Sequence, residues 1–182
     1  MNIYRMFSSN NDFKSIQYGQ TPLMKIIGEE DWENVSDIER YSFHWNEGDK
    51  EVSDAPFLIG AIPIFRSETL DHAGIKFPKN YVKEIIINVE GIEYVIVKAT
   101  QIVTDLLDEK RSVISRYSDG RIMDVERYVF KKNDNVPPIF KLKQYPLFTF
   151  VTDVLGDKLN AAAISGLILE KCKISKPWFK FA

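Results

Sequence analysis

The stretch Glu84–Val97 has the sequence Glu-Ile-Ile-Ile-Asn-Val-Glu-Gly-Ile-Glu-Tyr-Val-Ile-Val, and it decides the fold. Both of its arms are rich in β-branched residues, whose side chains fit the pleated surface of a sheet. Between the arms, Glu90-Gly91 is a candidate for a tight turn. We therefore predict an antiparallel hairpin with strands at Glu84–Val89 and Ile92–Val97.

A second hairpin is predicted further along the chain. Ser112–Tyr117 and Arg121–Phe130 flank Asp119-Gly120, a pair able to supply the positive φ angles of a type I′ turn. Polar and apolar residues alternate only partially along the second arm, which indicates a bulge. Two shorter strands are predicted at Ile139–Leu142 and Leu147–Val151.

Few helices are predicted. The clearest is Thr152–Ala163, in which Leu155 and Leu159 share one face and Thr152 or Asp153 can cap the start. A strand at Leu167–Leu169 follows it. Because the strands are joined by hairpins rather than by helical crossovers, the predicted fold class is α+β, a mainly antiparallel sheet with a few packed helices. The shorter predicted helices are Thr21–Ile27, Asp37–Trp45 and Ser67–Ala73.

The composition is that of one folded domain. The 182 residues are 45% hydrophobic and 13% aromatic, and a chain of this length buries about two-thirds of the surface that it exposes when unfolded. The formal net charge of −2 argues against a dedicated nucleic-acid binder, which is expected to be basic. We predict a single domain, 1–182, with a less regular acidic part at 1–60 and a hairpin-rich α+β part at 61–182.

The acidic residues are concentrated in Glu29–Asp54, where ten acidic residues stand against Arg40 and Lys50. Aromatic residues within this segment are expected to anchor it to a folded surface, unlike a disordered acidic tail. Two interpretations remain open: a solvated face or long loop, and a surface that binds a basic partner. The candidate contact residues are Glu29, Glu30, Asp31, Trp32, Glu33, Asp37, Glu39, Trp45, Glu47 and Asp49.

The sequence predicts a cytosolic location. Cys172 is the single cysteine, so an internal disulfide cannot form. The amino terminus has no long apolar run after its first charge, which argues against a signal peptide. The longest uncharged apolar stretch, Ala55–Phe65, is interrupted by two prolines and is shorter than the roughly 20 residues that a membrane-spanning helix needs.

No motif of catalysis or metal binding is present in the sequence. His44 and His72 lie in different segments and, with Cys172, have no short zinc-ligand spacing. Neither a glycine-rich phosphate loop nor the glycine-flanked serine of a hydrolase is found. The lysines beside Cys172 can lower the pKa of its thiol, although packing is the simpler interpretation. We predict no metal, no cofactor and no catalytic residue.

An acid–base site is the alternative hypothesis, for a hydrolase or a small-molecule-binding domain. It would use Asp71 and His72 together with Asp105 and Asp108. Asp105 and Asp108 lie three residues apart, so on a helix they would share a face. A solvated face or a turn is the simpler interpretation of both pairs.

Basic and aromatic residues alternate near the carboxyl end, in Lys171–Phe181. Such combinations form stacking platforms for single-stranded nucleic acid. Because the cluster is short and the chain weakly acidic, we favour the interpretation that Trp178, Phe179 and Phe181 dock the tail on the core.

The order of short motifs along residues 55–172 resembles the bacterial polymorphic-toxin immunity proteins, a class once known only as a domain of unknown function. Glu68 follows Ser67 where that family more often has a basic residue, and the acidic segment Glu29–Asp54 has no counterpart in the family pattern. The motifs that carry the resemblance are Ile62–Ser67, Tyr94–Val97, Thr104–Ser112, Asp119-Gly120, Ile139–Leu142, Val151–Leu155 and Ile164–Glu170.

The resemblance implies a cytosolic, non-catalytic protein that binds a cognate toxin and blocks its active site or substrate path. An acidic surface would speed encounter with a toxin that has a basic cleft. Trp32 and Trp45 would supply buried anchor side chains, since tryptophan often dominates the energy of such interfaces. No nucleic acid, membrane or cofactor is expected among the partners.

Overall fold

The protein is described by a computed structural model that covers residues 1–9, 11–18, 42–58 and 62–175. Of these residues, 43% are in strands and 10% in helices. The two helices are α1 (Ser67–His72) and α2 (Asp153–Ala161). The strands are β1 (Ile3–Ser8), β2 (Ile16–Tyr18), β3 (Phe43–Trp45), β4 (Ile64–Arg66), β5 (Val82–Val89), β6 (Ile92–Ala99), β7 (Ile102–Val103), β8 (Val113–Arg116), β9 (Ile122–Arg127), β10 (Val129–Phe130), β11 (Ile139–Leu142), β12 (Thr149–Thr152), β13 (Leu167–Lys171) and β14 (Lys173–Ile174).

The expected α+β class is wrong, because the protein is mostly β and its sheets mix parallel and antiparallel strands. One five-stranded sheet, the first sheet, has the order β13-β1-β12-β11-β7, and the other, the second sheet, has the order β2-β3-β5-β6-β4. The pairs β7·β11, β3·β5 and β10·β14 are parallel. Hairpin turns indicate only pairing between neighbouring strands, so no turn signal marked these long-range parallel pairs.

The first predicted hairpin is confirmed. β5 and β6 pair antiparallel along their whole length, from Val82 opposite Ala99 to Val89 opposite Ile92. The two turn residues, Glu90 and Gly91, have φ angles of 50° and 89°. Positive φ at both central residues is the signature of the type I′ turn, whose twist matches that of the flanking strands.

The second hairpin is also present, but its expected turn type is wrong. Gly120 has a φ of 87°, whereas Asp119 has no positive φ. The Tyr117 N–H donates to the Arg121 carbonyl at 2.9 Å, and the Gly120 N–H donates to the Tyr117 carbonyl at 3.0 Å. These bonds enclose a three-residue loop in which glycine takes the left-handed position. The predicted irregularity is confirmed, since the β8–β9 register shifts at two places.

The described helices are short. α1 and α2 confirm the helices predicted around Ser67–Ala73 and Thr152–Ala163, but neither start has a side-chain cap. The helix predicted at Asp37–Trp45 is wrong at its carboxyl end, because Phe43–Trp45 is strand β3. Its earlier part and the helix predicted at Thr21–Ile27 lie outside the described residues.

The first sheet lies between two cores. Met6 and Val151 on one face pack with the second sheet and with both helices. Ile3 and Phe150, on the same two strands, face the opposite side, where they join an aromatic core with Tyr128. The alternation follows from the two-residue period of a strand. A separate core containing Tyr94 covers the other face of the second sheet.

Hydrogen bonds to the Asp54 carboxylate connect the two sheets, and we call this group of bonds the Asp54 joint. The carboxylate accepts hydrogen bonds from the Ser165 hydroxyl at 2.6 Å and from the Thr69 hydroxyl at 2.7 Å. Ser165 precedes the first sheet's edge strand β13, and Thr69 lies on α1. Burial raises the pKa of Asp54, but these bonds and the charge of Arg66 outweigh it and hold the pKa below its ordinary value.

Acidification should therefore weaken this joint. A carboxyl whose pKa is lower in the folded than in the unfolded state stabilises the fold fully above its unfolded pKa of about 3.9, and the contribution disappears as the pH falls through the folded value. We expect the free energy of unfolding, as the pH is lowered through the unfolded and folded pKa values of Asp54, to decline less steeply in Asp54→Asn than in the natural chain. Urea titrations from about pH 6 to pH 2.5 measure the slope; equal slopes would contradict the role of Asp54.

Candidate functional site

The candidate site is a groove beside α1, which contacts both β4 and β6. The groove encloses about 450 Å³, and we call it the α1 groove. A second groove of about 370 Å³ shares Ser67, Asp71 and Glu93 with it and also contains Lys76 and Lys79. The residues that line the α1 groove are Arg66, Ser67, Glu68, Asp71, His72, Gly91, Ile92 and Glu93.

The alternation of β6 explains which side chains face the groove. Tyr94 is fully buried in the core on the far side of the second sheet, so Glu93 points to the face that carries α1. In α1 only Leu70 is buried, and it packs into the core between the sheets. Asp71 and His72 are therefore left exposed beside the groove.

The α1 groove is negatively charged. Its lining contains three carboxylates, those of Glu68, Asp71 and Glu93, against the single guanidinium of Arg66. The Arg66 Nε lies 3.7 Å from a Glu68 carboxylate oxygen, a pair that is largely exposed and so contributes little to stability. The groove therefore favours a cationic group over an anion.

Trp45 lies on the other side of the β5–β6 turn. Its backbone N–H donates to the Glu90 carboxylate at 3.2 Å. Its ring meets Tyr94 edge-on, with 5.6 Å between the ring centroids, and is half-buried. Glu47 and Asp49 follow it in an exposed loop. Trp45 thus lies near a turn that also borders the α1 groove.

The other seven predicted contact residues lie outside the described part of the chain. They are Glu29, Glu30, Asp31, Trp32, Glu33, Asp37 and Glu39.

The structure does not bring the four residues of the alternative acid–base site together. Asp71 and His72 line the α1 groove. Asp105 and Asp108 flank leucines that pack in the aromatic core, on the opposite face of the first sheet. Asp105 and Asp108 do not share a helix face, because no helix forms there and Asp105 has a φ of 57°.

Cys172 is a packing residue in this structure. It lies in the aromatic core with 7% of its surface exposed. Burial raises the pKa of its thiol to about 12, so the neighbouring lysines do not activate it, and the thiolate is scarce near neutral pH.

Within the described ranges, no three histidine, cysteine or acidic side chains form a group that could hold a metal ion. His44 is on β3 and His72 on α1, in different elements. None of the helices in these ranges has the length and apolar character needed to cross a bilayer.

Sequence reasoning singled out Asp71, His72 and Trp45 but missed Glu68, Glu90 and Glu93 as neighbours of the same surface. The position of Glu93 could have been predicted from the sequence, since strand alternation places its side chain on the face of β6 that Tyr94 does not occupy. Glu68 could be placed only by knowing that α1 lies against β6.

No protein-family model and no curated protein matches this chain.

Proposed function

We propose that this chain is an immunity protein that binds a cognate bacterial toxin in the cytosol and neutralises it by covering the toxin's active site or substrate path. The chain would act without catalysis and without a cofactor. The observation that carries the proposal is the acidic α1 groove, which adjoins the same hairpin turn as the half-buried Trp45. The order of motifs that resembles toxin immunity proteins adds to it.

The charges of this surface suit a basic partner. Asp71, Glu90 and Glu93 are all exposed, so they can act at a distance as well as on contact. Complementary charge raises the rate of encounter and rejects wrongly charged partners. A toxin that handles nucleic acid has a basic cleft of the kind such a surface would meet.

Trp45 is placed to act as an anchor. Its contact with Tyr94 restricts the ring before any partner arrives, which lowers the entropy lost on binding. Tryptophan is among the residues that most often contribute a large share of the binding energy of an interface. The partner would cover the part of the ring that Tyr94 leaves open.

Charge reversal tests the contact surface. We expect Asp71→Lys with Glu93→Lys to slow association with the toxin encoded by the neighbouring gene by about tenfold at low salt, because steering depends on complementary charge. The difference should shrink as salt is added, because salt screens exposed charges. Stopped-flow or surface-based kinetics at several salt concentrations give both quantities.

The matched control is Glu126→Lys with Asp134→Lys, which makes the same charge change at two exposed carboxylates outside the α1 groove. Equal association rates for the two double variants would contradict a contact at the α1 groove. A third variant, with Glu29, Glu30, Asp31 and Glu33 all changed to lysine, measures the contribution of the acidic segment. Asp105→Asn with Asp108→Asn should leave neutralisation intact, whereas the alternative acid–base site requires its loss.

A further inference from the structure

The tip of the β8–β9 hairpin contains a residue pair that can rearrange without any enzyme. Asp119-Gly120 is the single Asp-Gly pair in the sequence, which has no Asn-Gly pair. Because glycine has no side chain to shield its backbone nitrogen, this nitrogen can approach the carboxyl group of the preceding aspartate. The Asp119 side chain is 50% exposed, so water can reach it. The pair therefore meets the chemical requirements for forming a succinimide.

The rearrangement would have two steps. The Gly120 nitrogen attacks Cγ of the protonated Asp119 carboxyl, the new nitrogen–carbon bond closes a succinimide ring, and the carboxyl hydroxyl leaves as water with the amide hydrogen. A water molecule then opens the ring at either of its carbonyls. One opening restores aspartate, and the other gives isoaspartate, in which the main chain runs through the side-chain carboxyl and is one atom longer.

Both reacting groups are already engaged in the structure. The Gly120 N–H donates to the Tyr117 carbonyl at 3.0 Å, and the nitrogen must lose this hydrogen to react. One oxygen of the Asp119 carboxylate accepts the Arg121 N–H at 3.0 Å, as in an Asx turn, and the other accepts the Arg121 Nε–H at 2.7 Å. Ring closure expels one of these oxygens as water, so it must break at least one bond to Arg121.

The same contacts keep the Asp119 carboxyl in its unreactive form. Water leaves readily only from a protonated carboxyl, because a carboxylate would have to expel an oxide. Hydrogen bonds from the Arg121 backbone N–H and from its guanidinium hold the pKa of Asp119 below its ordinary value. The protonated fraction near neutral pH is correspondingly smaller.

Arg121 is itself held in place by Tyr117. The guanidinium carbon lies 5.6 Å from the centroid of the Tyr117 ring, which is within the range of a cation–π contact. The Arg121 side chain is 78% exposed, and an ion pair between such exposed groups contributes little to the stability of a fold. The contact between Arg121 and Asp119 therefore affects the reactivity of the carboxyl more than the stability of the hairpin.

We propose that Asp119-Gly120 is a site of spontaneous isoaspartate formation and that Arg121 protects it by holding the Asp119 carboxylate. The loop between β8 and β9 is short, and an extra main-chain atom within it would disturb the pairing of the two strands. Ile114 and Ile122 on these strands pack against the aromatic core. Isoaspartate at the tip would therefore loosen the packing of the hairpin on the core.

The accumulation of isoaspartate tests the protection. The natural chain and Arg121→Gln are incubated folded at physiological temperature and neutral pH, and peptide mapping with electron-transfer fragmentation distinguishes the two isomers, whose masses are equal. We expect isoaspartate to accumulate about fivefold faster in Arg121→Gln, the factor that the loss of one ordinary hydrogen bond gives. The matched control is Arg127→Gln, which removes an exposed arginine at the other end of β9 and should react at the natural rate.

Two further measurements separate protection by Arg121 from a general loosening of the hairpin. Unfolded in guanidinium chloride, the natural chain and Arg121→Gln should form isoaspartate at equal rates, because the contact with Asp119 is then absent from both. In the folded proteins, amide exchange in β8 and β9 should be the same for both. Asp119→Glu provides the background signal, because glutamate would have to close a larger ring.

Four results would overturn the proposal. They are an acceleration below about twofold in Arg121→Gln, an equal acceleration in Arg127→Gln, an acceleration that comes with faster amide exchange throughout β8 and β9, and an unfolded natural chain that forms no more isoaspartate than Asp119→Glu.

Discussion

Replacing Phe150 with alanine is expected to lower the free energy of unfolding by about 4 kcal/mol, the largest effect of any single change considered for this protein. Phe150 has none of its surface exposed. Its ring centroid lies 5.0 Å from that of Tyr128, 5.3 Å from Phe130 and 5.6 Å from Phe140. Alanine removes the common neighbour of these rings and leaves a cavity that β strands on both sides hold open.

The control is Ile102→Ala, on the edge strand of the same sheet. Ile102 is 57% exposed, so its loss should change the free energy of unfolding by no more than about 0.5 kcal/mol. Urea unfolding followed by tryptophan fluorescence and by circular dichroism measures both variants. A loss below about 1 kcal/mol for Phe150→Ala would contradict the aromatic core.

Replacing Gly166 with alanine should cost about 3 kcal/mol, from backbone strain and a close contact together. Gly166 has a φ of 81°, and a Cβ there would stand 2.6 Å from the Ser53 hydroxyl oxygen and 2.8 Å from the Ala55 carbonyl oxygen. The carbonyl cannot easily move, because the Ala55 N–H is itself bonded to the Ser165 carbonyl at 2.9 Å. The strain would act on the segment next to Ser165, whose hydrogen bond to Asp54 connects the two sheets.

Gly120→Ala separates these two contributions. Its φ of 87° is nearly the same, but a Cβ at Gly120 would meet nothing within 4 Å. We expect that variant to lose only about 1 kcal/mol, the cost of the left-handed backbone alone. Chemical denaturation of both variants gives the comparison. Similar losses would show that the contact with Ser53 and Ala55 contributes nothing.

The parts of the fold that sequence predicted are those with a local signal. Glu90-Gly91 fixed the β5–β6 hairpin because two positive φ angles are needed within two residues. Strand β1 pairs instead with β12 and β13, some 150 residues away. No turn marks such a pairing, and the strand was not predicted. The α+β expectation was wrong for the same reason.

The candidate site was predicted in fragments. Trp45 and Asp71 were singled out, but for different hypothetical sites, because nothing in the sequence shows that the β5–β6 turn lies near both. Asp105 and Asp108 were grouped with Asp71 on residue type alone, and the first sheet separates them. The Asp54–Ser165 bond spans 111 positions and has no signature in the sequence.

Hydrogen exchange of the chain with and without the neighbouring gene's toxin tests the proposed function most directly. We expect a stable complex in which amide exchange slows at 67–72 and 88–93, the two sides of the α1 groove, while exchange in the β8–β9 hairpin stays unchanged. A complex that protects other amides and leaves both segments at their free rates would contradict the proposed contact surface. The absence of any complex would contradict the immunity function itself.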